Sequence, residues 1–193
     1  MITAFCIIDL SLYITCLTIG GVDSSSLLAV PNDTLILMGA KVPWAMRYDY
    51  EWWRFITPVF LHKNLVHLLE NLAALLIVGS VLESDLGTGR FLIVFFLTSI
   101  GGTSISALLS NNISCGGSNP IFGLAGLYFA CLILNWLFLK QNPERRWQLI
   151  FFLAIVMITA IVTTTELEFI DGIGLTGAFL TGILVGLWIL PPM

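Results

Sequence analysis

GGSNPIFGLAGLYFACLILNWLFL, residues 116–139, opens on two glycines and a serine and then runs to Leu139 without a charged side chain. An apolar run of about 18 residues or more reads as a membrane-spanning helix, because lipid leaves backbone N–H and C=O groups unsatisfied and a helix satisfies its own. A hydroxyl at the head of such a run is either helix glue or a nucleophile placed to work inside a membrane. Only two histidines occur, His62 and His67, and neither lies in the last apolar segment, where a base for Ser118 would be sought.

The rest of the chain is of the same kind. Its 193 residues are 58% hydrophobic and 10% charged, with mean hydropathy +0.97, a balance that soluble domains rarely show. The net charge of −4 is small and scattered, with no basic stripe, which excludes a nucleic-acid partner. Cys6, Cys16, Cys115 and Cys131 have no metal-ligand spacing, so neither a metal nor another cofactor is called for. The partner of such a chain is the lipid bilayer.

Six apolar runs read as spans, at about 4–20, 59–82, 91–109, 118–139, 147–162 and 170–190, the last stopped by Pro191-Pro192. The first differs from a signal peptide: it has no basic head, carries Asp9 and lacks a cleavage site. A long loop, 21–53, follows it and carries Trp44, Tyr48, Tyr50, Trp52 and Trp53, an aromatic load suited to headgroup depth. No room remains for a soluble domain, so residues 1–193 are expected to form one all-α membrane domain, an integral multi-pass bundle of six helices. Lys140, Arg145, Arg146 and Arg90 crowd two joints, which by the positive-inside rule places those joints and both termini in the cytosol. Lys41, Arg47 and Arg54 oppose this from the long loop.

Spans two, four and six run in the same direction, so His67, Asn71, Ser118 and the Gly174–Leu175 region are expected at one depth. His67 and Asn71 are four residues apart and share a helix face. Alone, such a pair is read as a hydrogen bond between helices; beside a serine at the same depth, a polar site is equally reasonable. Ser118 stands at a helix start, where unpaired N–H groups can steady an oxyanion, although Ser before an apolar helix is also a common cap. Gly174, Ala178, Gly182 and Gly186 repeat every four residues on span six, and Gly123, Gly126 and Ala130 answer on span four. This predicts close packing of those two spans whatever the function.

Taken in order, these motifs resemble the rhomboid family of intramembrane serine proteases over most of the chain. Trp53-Arg54, Thr57-Pro58-Val59-Phe60-Leu61-His62, His67-xxx-Asn71 and Gly79, Glu83, Gly87, Arg90 follow the family's pattern. So do Gly116-Gly117-Ser118 and Phe122 one turn below. The resemblance implies a six-transmembrane-helix rhomboid-like fold and a transmembrane protein as substrate or client. It implies Ser118 as nucleophile, His67 and Asn71 as oxyanion donors, and Gly116 and Phe122 lining the site. On helix six, Asp171, Gly177 and Gly182 set the register, Ala178 replaces a glycine, and the position of the family's catalytic histidine is Leu175.

An unactivated serine hydroxyl is a poor nucleophile, and loss of a triad member lowers rates by roughly 10⁴–10⁶. Two function classes follow. One is a pseudoprotease, or a strongly impaired protease, that binds transmembrane segments of clients. The alternative is an active intramembrane serine endopeptidase using Ser118 with an unusual base, for which His67 is the nearby substitute. A structural or assembly subunit is the plain third reading. A channel or transporter has less behind it, since charged pore rings and broken-helix repeats are missing.

Overall fold

The computed structural model describes residues 1–166 and 171–189. The chain is helical almost throughout, and the helices sort into six long segments and a structured first loop. Helix α1 (Ile2–Gly20) leads into a loop that carries α2 (Asn32–Met38), α3 (Pro43–Tyr48) and two tight 3-10 turns, Trp52–Phe55 and Thr57–Phe60. Then come α4 (Leu65–Ala74), a π turn (Leu75–Gly79) and α5 (Ser80–Leu86), which together form one continuous helical segment. They are followed by α6 (Thr88–Leu109), α7 (Ser118–Leu134), α8 (Trp136–Gln141), α9 (Pro143–Glu166) and α10 (Gly172–Ile189). Ile2–Gly20, Leu65–Leu86, Thr88–Leu109 and Gly172–Ile189 are each long and apolar enough to cross a membrane, and Ser118–Leu134 is a shorter apolar helix.

Several boundaries differ from those that hydropathy alone suggests. The second segment begins at Leu65 rather than at Val59. Pro58 shapes a tight turn, and Asn64 caps α4 by accepting the His67 N–H at 2.8 Å. Lys63 stays in the loop layer, where its ammonium donates to the Val30 carbonyl and to Asn32 Oδ1, both at 2.7 Å. The segment runs on to Leu86, four residues past the expected end, and stops where Gly87 takes φ 76°. The fourth run is two helices, because Asn135 leaves helical geometry and turns its side chain back to the Cys131 carbonyl. Pro143 suits a first helical position, so α9 starts ahead of Trp147, and it extends past Val162. The expected ends of the sixth span, 170 and 190, lie outside the described residues.

The first loop is built around Arg54, which is buried and donates to the carbonyls of Ile36 (2.8 Å) and Ala40 (2.7 Å) and to Glu51. Val30, Leu35, Ala40, Leu61 and Leu68 pack beneath it with Tyr13 and Cys16 of α1. The aromatic side chains Trp44, Tyr48, Tyr50 and Trp52 remain exposed on its outer edge.

Helix α7 is the hub, packed against α6, α9 and α10. A Cβ on Gly182 would run into the Gly123 carbonyl oxygen, and one on Gly126 into the Phe179 carbonyl, so these backbones touch. The upper part of the α10 stripe goes elsewhere. Gly174 and Ala178 lie against Gly102 of α6, and Gly174 also meets the Asn119 side chain at the start of α7. Four-residue steps advance about 40° beyond a full helical turn, so the stripe winds around α10 and faces α6 at one end and α7 at the other. The larger apolar core, with Phe5, Phe91, Phe95, Leu82, Leu124 and Leu127, fills the space between α1, α5, α6 and α7.

Candidate functional site

Ser118 is the first residue of α7 and Gly117 its cap, so the hydroxyl stands beside N–H groups that have no partner within the helix. Gly116 brings the chain to this start with φ 131°, a conformation that side chains rarely adopt, and its N–H donates to the Pro58 carbonyl at 2.8 Å. The space that a Cβ there would need is filled by the His67 ring, whose Nε2 lies 2.5 Å from that point; Ser118 Oγ lies 3.7 Å from it. Asn71, one turn along α4, is buried and donates to the His67 carbonyl at 2.8 Å, while its Oδ1 lies against Gly117. Helix α4 therefore presses two polar side chains onto the glycine turn that leads to the serine.

These residues share a cavity of about 280 Å³. His67, Asn71 and Ser118 line its polar end, and Phe122, Ile121, Val78 and Val156 line much of the rest. The cavity is thus polar at one end and apolar along its length, rather than polar throughout. Leu175 lines it too, in the first turn of α10, 5% exposed and donating its N–H to the Asp171 carbonyl at 2.9 Å. The structure brings Ser118, His67, Asn71, Gly116, Phe122 and Leu175 together. What faces the serine from α10 is an isobutyl group that can take no proton. His67 is engaged differently: its ring packs edge-on against His62, centroids 5.3 Å apart, and its Nδ1 has no partner among the described residues.

Other residues singled out by the sequence lie away from the cavity. Trp53 is partly exposed and meets Trp52 edge to face. Glu83 accepts from the Met1 ammonium at 3.1 Å and from Thr88 Oγ1 at 2.8 Å, tying α5 to α1 and α6. Arg90 is exposed and makes no hydrogen bond or ion pair among the described residues. Gly174, Ala178 and Gly182 are buried packing positions.

A polar knot that the sequence did not reveal sits behind the serine. Lys41, 1% exposed, is ion-paired to Asp171 and bonded to Ser106 Oγ, and Ser114 Oγ donates to the same Asp171 oxygen at 3.1 Å. Asp171 Oδ1 accepts the Gly174 N–H at 3.0 Å. First loop, α6, the α7 approach and the start of α10 are joined at one carboxylate. Burial pushes the Lys41 ammonium below the ordinary lysine range, and the Asp171 carboxylate pulls it back up. Burial also pushes the Cys115 thiol up to about 12, so it is an inert neighbour and not a nucleophile. Glu70, also overlooked, lines the cavity three residues after His67. The rule that put His67 and Asn71 on one face covers it as well.

The Rhomboid domain model matches residues 49–192. RHOMBOID-like protein 1 of Arabidopsis thaliana is 31% identical over 161 residues, covering 83% of this chain and 40% of that protein. Rhomboid-like protease 2 of Toxoplasma gondii is 29% identical over 184 residues, 94% of this chain and 62% of that one. Rhomboid protease GluP of Bacillus subtilis is 38% identical over 110 residues, 56% and 22% of the two chains. The chain spans less than two thirds of the length of each of these relatives.

Proposed function

The chain belongs to the rhomboid family and is an integral, multi-pass membrane protein, and from that premise we propose that it binds transmembrane segments of client proteins without cleaving them at the rate of a serine–histidine protease. In this reading residues 1–193 act as one unit, with Ser118 at the nucleophile position and His67 and Asn71 at the oxyanion positions. Leu175 occupies the place of the base, and the cavity beside them receives the client. The observation that carries it is Leu175: buried, in the wall of the cavity that holds Ser118, and chemically unable to accept a proton. Without a base, attack and protonation of the leaving amine both lose their catalyst.

A second reading, a protease with His67 as base, is favoured by the survival of Ser118, His67 and Asn71 around one cavity. Against it stands the His67 ring's position over Gly116, on the oxyanion side. Both termini are assigned to the cytosol. Two of the loop cations that argue otherwise, Lys41 and Arg54, are buried in ion pairs with Asp171 and Glu51, which supports that assignment.

The test is Leu175→His in liposomes with a transmembrane substrate. Cleavage should rise by about 10⁴-fold, the size of the effect of a missing triad member, and vanish again on Ser118→Ala. The unmodified protein should resist fluorophosphonate labelling at Ser118. Strong labelling that disappears with His67→Ala would make His67 the base and the protein an enzyme.

A further inference from the structure

Glu70 sits half-buried in the wall of the client cavity, at the polar end with His67 and Asn71 and ahead of the apolar stretch made by Ala74, Ile77 and Val78. Its Oε2 is buried and has no hydrogen-bond partner among the described residues. Ionisable groups in membrane-spanning helices are rare; they face the bundle interior or a cavity, and they pair with an opposite charge or a donor. No lysine or arginine among the described residues lines the cavity. Lys41 is held by Asp171, Lys63 by Val30 and Asn32, Arg54 by Glu51, and Arg145 by Asp85. What enters the cavity can therefore supply a partner for Glu70.

The cavity has an entry for it. Ile77 on the α4 side and Ile155 on α9 line the cavity and are also exposed at the surface, so the space reaches the outside between these two segments. A transmembrane segment approaching there meets apolar wall along most of its length and one carboxylate near its polar end.

We infer that Glu70 is a specificity determinant: it selects client segments that bring a lysine or arginine into the cavity at the depth of the Ser118 layer. The inference rests on the reading of the cavity as a client site. A long basic side chain suits it, because its apolar stem can lie along Ala74 and Ile77 while its head reaches the carboxylate. A segment without a donor covers the carboxylate and leaves Oε2 unpaired, which disfavours its entry.

The experiment places a benzophenone amino acid at Ile77 of the full chain in phosphatidylcholine liposomes. It then measures crosslinking to helical Leu/Ala segments of about 20 residues that carry one Lys, Leu or Glu near the non-cytosolic end. The Lys segment should crosslink at least about tenfold better than the Leu segment, as expected for a buried charge pair. Glu70→Gln should remove most of that advantage, and Glu70→Lys should transfer it to the Glu segment, which also shows that this variant is folded. Equal capture of all three segments, unchanged by either substitution, overturns the role of Glu70 and leaves client binding standing. Capture of none by the unmodified protein overturns the client site as well.

Discussion

Replacing Lys41 by methionine removes the only cation at the Asp171 carboxylate, among the described residues, and leaves two serine hydroxyls and the Gly174 N–H to hold it. The pair is shut away from water, with side chains 1% and 10% exposed. Breaking one partner of a buried pair costs about 3–5 kcal/mol, because the other charge is left uncompensated. For a chain of this length each kcal/mol moves the melting temperature by about 2–4 °C, so Lys41→Met should lower it by about 6–20 °C. Asp171→Asn should do the same from the other side. In Lys41→Met/Asp171→Asn neither charge remains, and the loss should fall short of the sum of the two single losses by about 1–3 kcal/mol. A thiol-reactive dye reads this directly in detergent, since Cys16 and Cys115 are buried in the loop core beside the knot and become reactive as it opens. A Lys41→Met protein that melts within about 1 °C of the parent, or a double variant whose loss is the plain sum, would refute the account. Asp171 lies one turn before Leu175 on the same helix end, so the same variants should also disturb any activity gained with Leu175→His.

The contact between α7 and α10 predicts that Gly182→Ala, whose methyl meets the Gly123 carbonyl, costs about 1–3 kcal/mol in a melting measurement. Gly89→Ala, in α6 with open space around it, should cost no stability, and equal losses from the two would deny the close approach. Acid should weaken the fold through His62, whose ring is 1% exposed and whose pKa is held well below 6.5 by burial and then by His67. The unfolded chain binds a proton there that the folded chain refuses, so its full stability holds above pH about 6.5 and declines below it. The slope approaches about 1.4 kcal/mol per pH unit for one such group, and His62→Phe should flatten the melting curve measured between pH 8 and pH 5.

The apolar runs were legible because lipid imposes a single solution on the backbone, and the depth argument brought His67, Asn71 and Ser118 together because spans of like direction share a start. Leu175 was found only through the register of Asp171, Gly177 and Gly182. What hydropathy could not show was local hydrogen bonding. The break at Asn135 and the late start at Leu65 each depend on one side chain bonding nearby backbone, inside sequence that is equally apolar on both sides. Lys41 and Asp171 are 130 residues apart, and no periodicity links a loop cation to a helix start. Glu70 was within reach of the same spacing rule as Asn71.

The π turn at Leu75–Gly79 divides the second span into a part that bears His67, Glu70 and Asn71 and a part that bears Glu83. A π turn holds one residue more than the α geometry around it. Each residue in a helix is worth about 100° of azimuth. Loss of a single residue from this stretch, with every other side chain unchanged, would swing the site-bearing half by nearly a third of a revolution relative to α5. The direction in which His67 and Asn71 point is therefore set by chain length as well as by composition, and a deletion in a wholly aliphatic stretch would turn both away from the glycine turn that leads to Ser118.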